Sequence, residues 1–321
     1  MPLFPQRNLL HSQTSLGLAC NDPDEPVRRA AEVVVQRMLR RGSGYGIAGP
    51  TWREGKRQRP AARPRDVKAA ARKLKKRLER NGGVDPELLN IAVELGNCDR
   101  RHRCLHPACP QCGRAVQRLF VRALVRFLEA NEHLGPWVML SLILPPLDPG
   151  REIDFAAERA RYTAVLRRAG LRLGAFGLDL SFNEDDRRML SEADRFAPHP
   201  CVHLYGIAPA GQVEAALPVL RRLVPATNLV CRPVRRKRFD GNPAALAYSH
   251  KPRFTRRLTI LRDDPRRASP VRTTRDRVLT VEQEIRAVRA LARAGLTGRI
   301  VLLGVHFEPV PIARPRRAPR T

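Results

Sequence analysis

The chain has 321 residues, with 60 lysines and arginines against 31 aspartates and glutamates, a formal charge of +29. A field of that sign and size favours a polyanionic partner, nucleic acid ahead of an anionic membrane surface. Hydrophobic residues make up 43% of the chain, enough for a buried core. No apolar run reaches the roughly 18 residues of a membrane span, which excludes a bilayer-crossing helix.

Residues 1–25 read as irregular. Leu16–Cys20 has the look of a lipoprotein cleavage box, but His11–Ser15 interrupt any hydrophobic segment before it, so no export is expected and the location is cytoplasmic. In that compartment the seven cysteines suit metal or free thiols rather than disulfides. Cys20 and Cys231 have no evident partner and read as ordinary thiols. Asp24-Glu25-Pro26 opens a helical pattern through Arg28–Arg41, with Ala31, Val34, Val35 and Met38 on one stripe. Gly42–Arg65 is rich in Gly, Pro and Arg and reads as a basic linker. A helix over Asp66–Arg80 carries Lys68, Arg72, Lys73, Lys75, Lys76, Arg77 and Arg80. It looks basic nearly all round, suited to phosphate contact or to a solvated face.

The strongest local signal is Cys98, Cys104, Cys109 and Cys112, spaced C-x5-C-x4-C-x2-C. Cys109-Pro-Gln-Cys112-Gly puts two thiolates on one tight turn, as in a zinc knuckle. Four thiolates close a tetrahedral Zn²⁺ shell with no open position, the structural rather than the catalytic type. Arg100, Arg101, Arg103 and Arg114 favour the thiolate forms, and His102 or His106 could replace one cysteine. A long amphipathic helix follows over Ala115–Glu132, with Val116, Leu119, Phe120, Ala123, Leu124 and Leu128 as its buried stripe.

Past Pro136 the pattern alternates strands and helices: strand Trp137–Leu144, helix Asp154–Arg168, strand Phe176–Phe182, strand Ala197–Tyr205, helix Gln212–Leu223, and a fourth strand near Leu229–Val234. The order β-α-β-β-α-β is the split βαβ, ferredoxin- or RRM-like arrangement, so an α+β fold is expected, its antiparallel sheet covered by helices on one face and open on the other. Period-two alternation puts Phe176, Leu178, Leu180, Phe182, Val202 and Leu204 on the covered face. Asp179, His199, Cys201 and His203 then share the open one, where a carboxylate, an imidazole and a thiolate or second imidazole form an open three-ligand metal site. Asn242-Pro243 starts a short helix as N-cap and first helical residue. On it Tyr248 and Lys251, three apart, share a face, and a cation beside a tyrosine favours the phenolate nucleophile.

Taken in order, the apolar strand, the Asp179 strand, the His199-Pro-Cys-Val-His203 strand and the Ala-Leu-Ala-Tyr248-Ser-His-Lys251 helix resemble rolling-circle replication initiators of the His-hydrophobic-His endonuclease superfamily, of bacterial plasmid and phage type. The resemblance covers about Pro136–Arg253, and the upstream cysteines resemble the zinc-binding segment many such initiators carry. It implies nicking of one DNA strand at a single-stranded or hairpin origin, with Tyr248 keeping the 5′ phosphate, Lys251 as its partner, and Mn²⁺ or Mg²⁺ held by Asp179 and the His199/Cys201/His203 strand. A host helicase and polymerase would act beside it; no membrane is involved. The family pattern is HPHxH, and this chain has Cys201 at the middle position. Some relatives also keep a carboxylate one turn before the tyrosine, where this chain has Ala244.

Arg235, Arg236, Lys237 and Arg238 precede the tyrosine helix and Arg253 follows it, a basic stretch suited to a bound strand. Aromatic residues are only 5%, so base-stacking platforms are scarce. The resulting division is a basic N-terminal region with one helix (1–65), a basic helix with the zinc knuckle and connecting helix (66–135), the nuclease-like domain (136–260), a helix–strand extension (261–310) built on Val281–Arg293 and Arg299–Val305, and a basic Pro-rich tail (311–321). Two other functions fit the same sequence: a non-catalytic zinc-containing DNA-binding relative with a decayed metal site, and a basic RNA-binding protein.

Overall fold

The computed structural model describes residues 13–19, 32–37, 39, 64–83, 85–99, 102–146, 150–186, 189–263, 265 and 270–312. The linker expected over 42–65 lies outside these residues except at its last two positions. Arg100, Arg101, Cys20 and the 314–320 tail also lie outside them, and of the first expected helix only 32–37 and 39 are described, as helical.

The chain is α+β. Its main sheet joins seven strands: β2 (Trp137–Leu142), β3 (Gly174–Asp185), β4 (His199–Pro209), β5 (Val234–Arg238), β6 (Thr255–Arg262), β7 (Val271–Arg277) and β8 (Ile300–Leu303). The order is β5-β2-β4-β3-β6-β7, with β8 also on β3. All pairs are antiparallel except β3 with β6. One edge of β3 is shared: β8 takes its first residues and β6 its last.

The register confirms the alternation. Leu178 pairs with Leu204 and Leu180 with Val202, while Leu142 also meets Leu204. This apolar side carries helices α4 (Phe155–Arg168) and α5 (Ala210–Leu223). Asp154 caps α4 by accepting from the amides of Ala156 and Ala157. The buried Tyr162 hydroxyl then pins α4 to the sheet, donating to the Val202 carbonyl at 2.7 Å and accepting from the Leu144 amide at 3.1 Å. Helix α7 (Val281–Ala294), started by a Thr280–Gln283 capping box, packs on α4.

After the helical residues 32–37, the described chain ahead of the sheet has α1 (Pro64–Asn81), α2 (Pro86–Gly96) and α3 (Pro110–Ala130). Helix α1 is not basic all round. Val67, Ala71, Leu74 and Leu78 are buried on one stripe, and Arg77 bonds Glu284 of α7 at 2.5 Å. Helix α2, which is not among the expected elements, follows Asp85, whose carboxylate accepts from the Glu87 and Leu88 amides and also pairs with Arg289. Helix α3 buries far more than one stripe, Gln117 and Val121 included, because it is packed on several sides.

Further differences concern strands. The strand expected near 229–234 is instead Val234–Arg238; it is an edge strand, so charge rather than apolar alternation suits it. Strands β6 and β7 are Arg- and Thr-rich and carried no apolar alternation to find. Residues 13–19, read as irregular, form β1 (Gln13–Ala19), which pairs antiparallel with β9 (His306–Ile312). No helix among the described residues is long and apolar enough to cross a membrane.

Candidate active site and metal centre

The four cysteines converge. Cys98 follows α2, Cys104 lies in the loop, Cys109 is the N-cap of α3 and Cys112 sits in its first turn. The sulfurs of Cys98 and Cys112, and of Cys104 and Cys112, are 3.7 Å apart, and those of Cys109 and Cys98 are 3.5 Å apart. Sulfurs on a tetrahedron about 2.3 Å from zinc stand roughly 3.8 Å apart, so the set is sized for that ion. Gln111 fastens the loop by donating to the Cys98 carbonyl at 2.7 Å. Hydrogen bonds from Cys104, Cys109 and Cys112 hold the Cys98 thiol far below its ordinary range, which favours a thiolate there. The histidines stay out. His106 Nδ1 accepts from the Ala108 amide at 3.1 Å, and burial pushes its imidazole down to about 4; His102 is exposed beside Asp99. These residues could hold a metal ion and would supply it with a closed, non-catalytic shell.

The sheet site forms differently. Pairing of β3 with β4 sets Asp179 opposite His203, Ser181 opposite Cys201 and Asn183 opposite His199. All of these side chains face away from α4 and α5, as alternation requires. That face is not open. Asp179, Ser181, Cys201, His199 and His203 are each at most 7% exposed. The cover is α3 together with helix α6 (Pro243–Tyr248) and the turn after it. Gly177 allows the close fit: a Cβ there would stand 1.8 Å from the Ser249 carbonyl oxygen. Gln117 of α3 donates to the Ala247 carbonyl at 2.8 Å, and Phe120 rests on the His250 ring. Buried Arg299 donates to the Lys251 carbonyl at 2.8 Å. Trp137, on the same side of β2, packs edge-on against Phe127 of α3.

At the rim of this cover lies Tyr248, 44% exposed. Its ring meets Tyr205 edge-on at 5.0 Å, and the Lys251 ammonium lies 3.7 Å from its centroid. Lys251 Nζ is also 2.8 Å from Asp179 Oδ2. Burial lowers the Lys251 pKa, but the charges of Asp179 and Tyr248 outweigh it and the net shift is upward, so the ammonium persists. Arg257 of β6, across from Asn183, donates to the Tyr248 hydroxyl at 3.4 Å and meets His203 Nδ1 at 3.2 Å. Tyr248, Lys251, Asp179 and His203 are thus brought to one place. Arg257 carries no local sequence signal, because its position depends on the parallel β3–β6 pairing.

The expected three-ligand cation site does not take shape. Among the described residues, the four cysteines are the only group of three or more metal-capable side chains whose ligand atoms converge. His199 turns Nδ1 to the Ala197 carbonyl and packs on Phe196. Burial pushes the Cys201 thiol up to about 12, so it is a neutral thiol rather than a soft thiolate. Burial, then Arg257, pushes His203 down to about 3, which keeps it neutral. Asp179 is engaged by Lys251.

The basic stretch divides by face. Arg235 and Lys237 lie opposite Ser141 and Met139, on the tyrosine side, while Arg236 and Arg238 lie opposite Leu140 and Val138. Arg236 pairs with Glu214 of α5 at 3.0 Å. Arg253 lies beyond Lys251, in a cavity of about 510 Å³ whose basic rim includes Lys73, Arg77 and Arg277.

Fold and sites define an α+β chain with a metal-capable cluster of four cysteines and a tyrosine between two cations. No protein-family model, no curated protein and no solved structure matches the chain.

Proposed function

We propose that the protein is a DNA strand transferase that links Tyr248 to a 5′ phosphate of single-stranded DNA, in the manner of rolling-circle initiators of plasmids, phages or mobile elements. The observation that carries this reading is the exposed Tyr248 hydroxyl, bonded by Arg257 and flanked by Lys251, above Asp179 and His203. The strand order β5-β2-β4-β3, with α4 and α5 on one side, agrees with the split βαβ arrangement of that superfamily. Arg235 and Lys237 on the tyrosine side, and a charge of +29, suit a nucleic-acid backbone. The four-cysteine cluster takes structural Zn²⁺. Such a protein works on cytoplasmic DNA.

In the transfer step the phenolic oxygen bonds phosphorus and the P–O3′ bond breaks. The phenol's proton ends on the 3′ oxygen, leaving a free 3′ hydroxyl. The burial of Asp179 and His203 confines this chemistry to the rim, where Tyr248, Lys251 and Arg257 meet the phosphate. Incubation with end-labelled single-stranded DNA is expected to give a covalent adduct that Tyr248→Phe abolishes and Tyr205→Phe does not. A second reading is favoured by one observation, the engagement of Asp179 and His203 by protein cations. It is a non-catalytic DNA-binding protein, which binds DNA in a salt-sensitive way and forms no adduct with or without Tyr248.

A further inference from the structure

We infer that the guanidinium of Arg257, rather than a divalent metal ion, holds the phosphate at Tyr248, with His203 as its positioning residue. The covalent step rests on the strand-transfer reading above; the phosphate-holding role does not.

The argument begins with lone pairs. A guanidinium has donors only. At 3.2 Å from Arg257 Nη1, His203 Nδ1 is therefore the acceptor, and the ring proton sits on Nε2. Nε2–H then donates to Ser181 Oγ at 2.9 Å, and the Ser181 hydroxyl donates to Asn183 Oδ1 at 2.8 Å. Both ring nitrogens are spent, and the tautomer is fixed by partners on β3 and β6. Asp179 has one oxygen on Lys251; its other oxygen is buried with no hydrogen-bond partner, and no third ligand converges on it. A cation at this place would have to displace two that the chain already supplies.

Those two have the charge a divalent ion would bring. Lys251 sits at the tyrosine ring and Arg257 at its hydroxyl. Arginine presents a planar fork that grips two phosphate oxygens at once, and it stays charged under all relevant conditions. The Arg257 side chain is 19% exposed, and its carboxylate neighbour Asp276 is 3.8 Å away and largely solvated, a weak partner that a phosphate can replace. Charge developing on the non-bridging oxygens during transfer would fall beside Arg257, where a preorganised donor is most effective.

The experiment uses full-length, zinc-loaded protein in buffer free of Mg²⁺ and Mn²⁺. Binding of a fluorescent single-stranded oligonucleotide to Tyr248→Phe protein is measured across salt concentrations, with and without millimolar Mn²⁺. Mn²⁺ binding to the wild type is followed separately by electron paramagnetic resonance. Mn²⁺ is expected to change DNA affinity less than about twofold beyond its effect as a salt, and no Mn²⁺ should be immobilised. Adding Arg257→Ala should weaken binding roughly tenfold and reduce the salt slope by about 0.7; Arg257→Lys should fall between, keeping the charge without the fork. Circular dichroism checks that each variant folds, and Arg257→Gln replaces any that does not. Stoichiometric Mn²⁺ binding that disappears in His203→Ala overturns the inference, as does Arg257→Ala binding DNA like its parent. Arg257-dependent, metal-independent binding without any adduct supports the inference and refutes strand transfer. An adduct that requires Mn²⁺ does the reverse.

Discussion

The four-cysteine cluster and the Asp179–His203 sheet site both carry metal-capable residues at suggestive spacing, yet only the first gathers its ligands around one point. The cysteines come from a loop and a helix start, where the backbone can curl until four sulfurs lie within 4.8 Å of one another. The sheet residues are fixed by strand register. Register delivers neighbours but not convergence, and the adjoining strand and turn supply Arg257 to His203 Nδ1 and Lys251 to one oxygen of Asp179. Spacing within a curling segment therefore says more about metal than the same residue types on paired strands.

The largest effect should come from the cluster. Zinc at such sites contributes folding free energy on the order of 10 kcal/mol in small modules. Purified protein should contain a single zinc per chain, and Cys109→Ser should lose it and lower the melting temperature more than any substitution below. Zinc in the wild type at the level of the variant would break the comparison from this side. The next effect is at the sheet. Asp179→Ala strands Lys251 beside a buried surface and should cost about 2–3 kcal/mol, discounted for the partial exposure of Lys251. It should leave the zinc content unchanged, which measured zinc and denaturant unfolding together check. Gly177→Ala drives a methyl group into the Ser249 carbonyl and should cost about 1–3 kcal/mol. The displaced turn should shift the environment of Tyr248, measurable as altered acrylamide quenching of tyrosine fluorescence. The smallest effect divides the basic strand: Arg235→Ala should weaken DNA binding by about 1 kcal/mol or less, while Arg236→Ala, on the other face and paired with Glu214, should change it little.

Much of the frame was legible. Asn242-Pro243 marks a helix start by residue type, and strict alternation in Phe176–Phe182 fixes which side of β3 meets the helices. Asp85-Pro86 carries the same kind of start signal for α2. Gly177 in the middle of a strand also had meaning, a place where another backbone comes close. The covered face was not legible, because nothing local says that Tyr248's own helix and α3 lie over the acid and the imidazole. Arg257 and Arg299 were hidden for the same reason. Among sixty basic residues, only contacts between distant parts of the chain distinguish these two arginines from the rest.

The most direct test of the central claim is to trap protein on single-stranded DNA, digest with nuclease and trypsin, and locate the residual nucleotide by mass spectrometry. A nucleotide-bearing peptide spanning Phe239–Arg253, absent from Tyr248→Phe, is the predicted result. A nucleotide on the Phe196–Arg221 peptide, which holds Tyr205, or no modified peptide after exposure to hairpin and linear DNA, would contradict it.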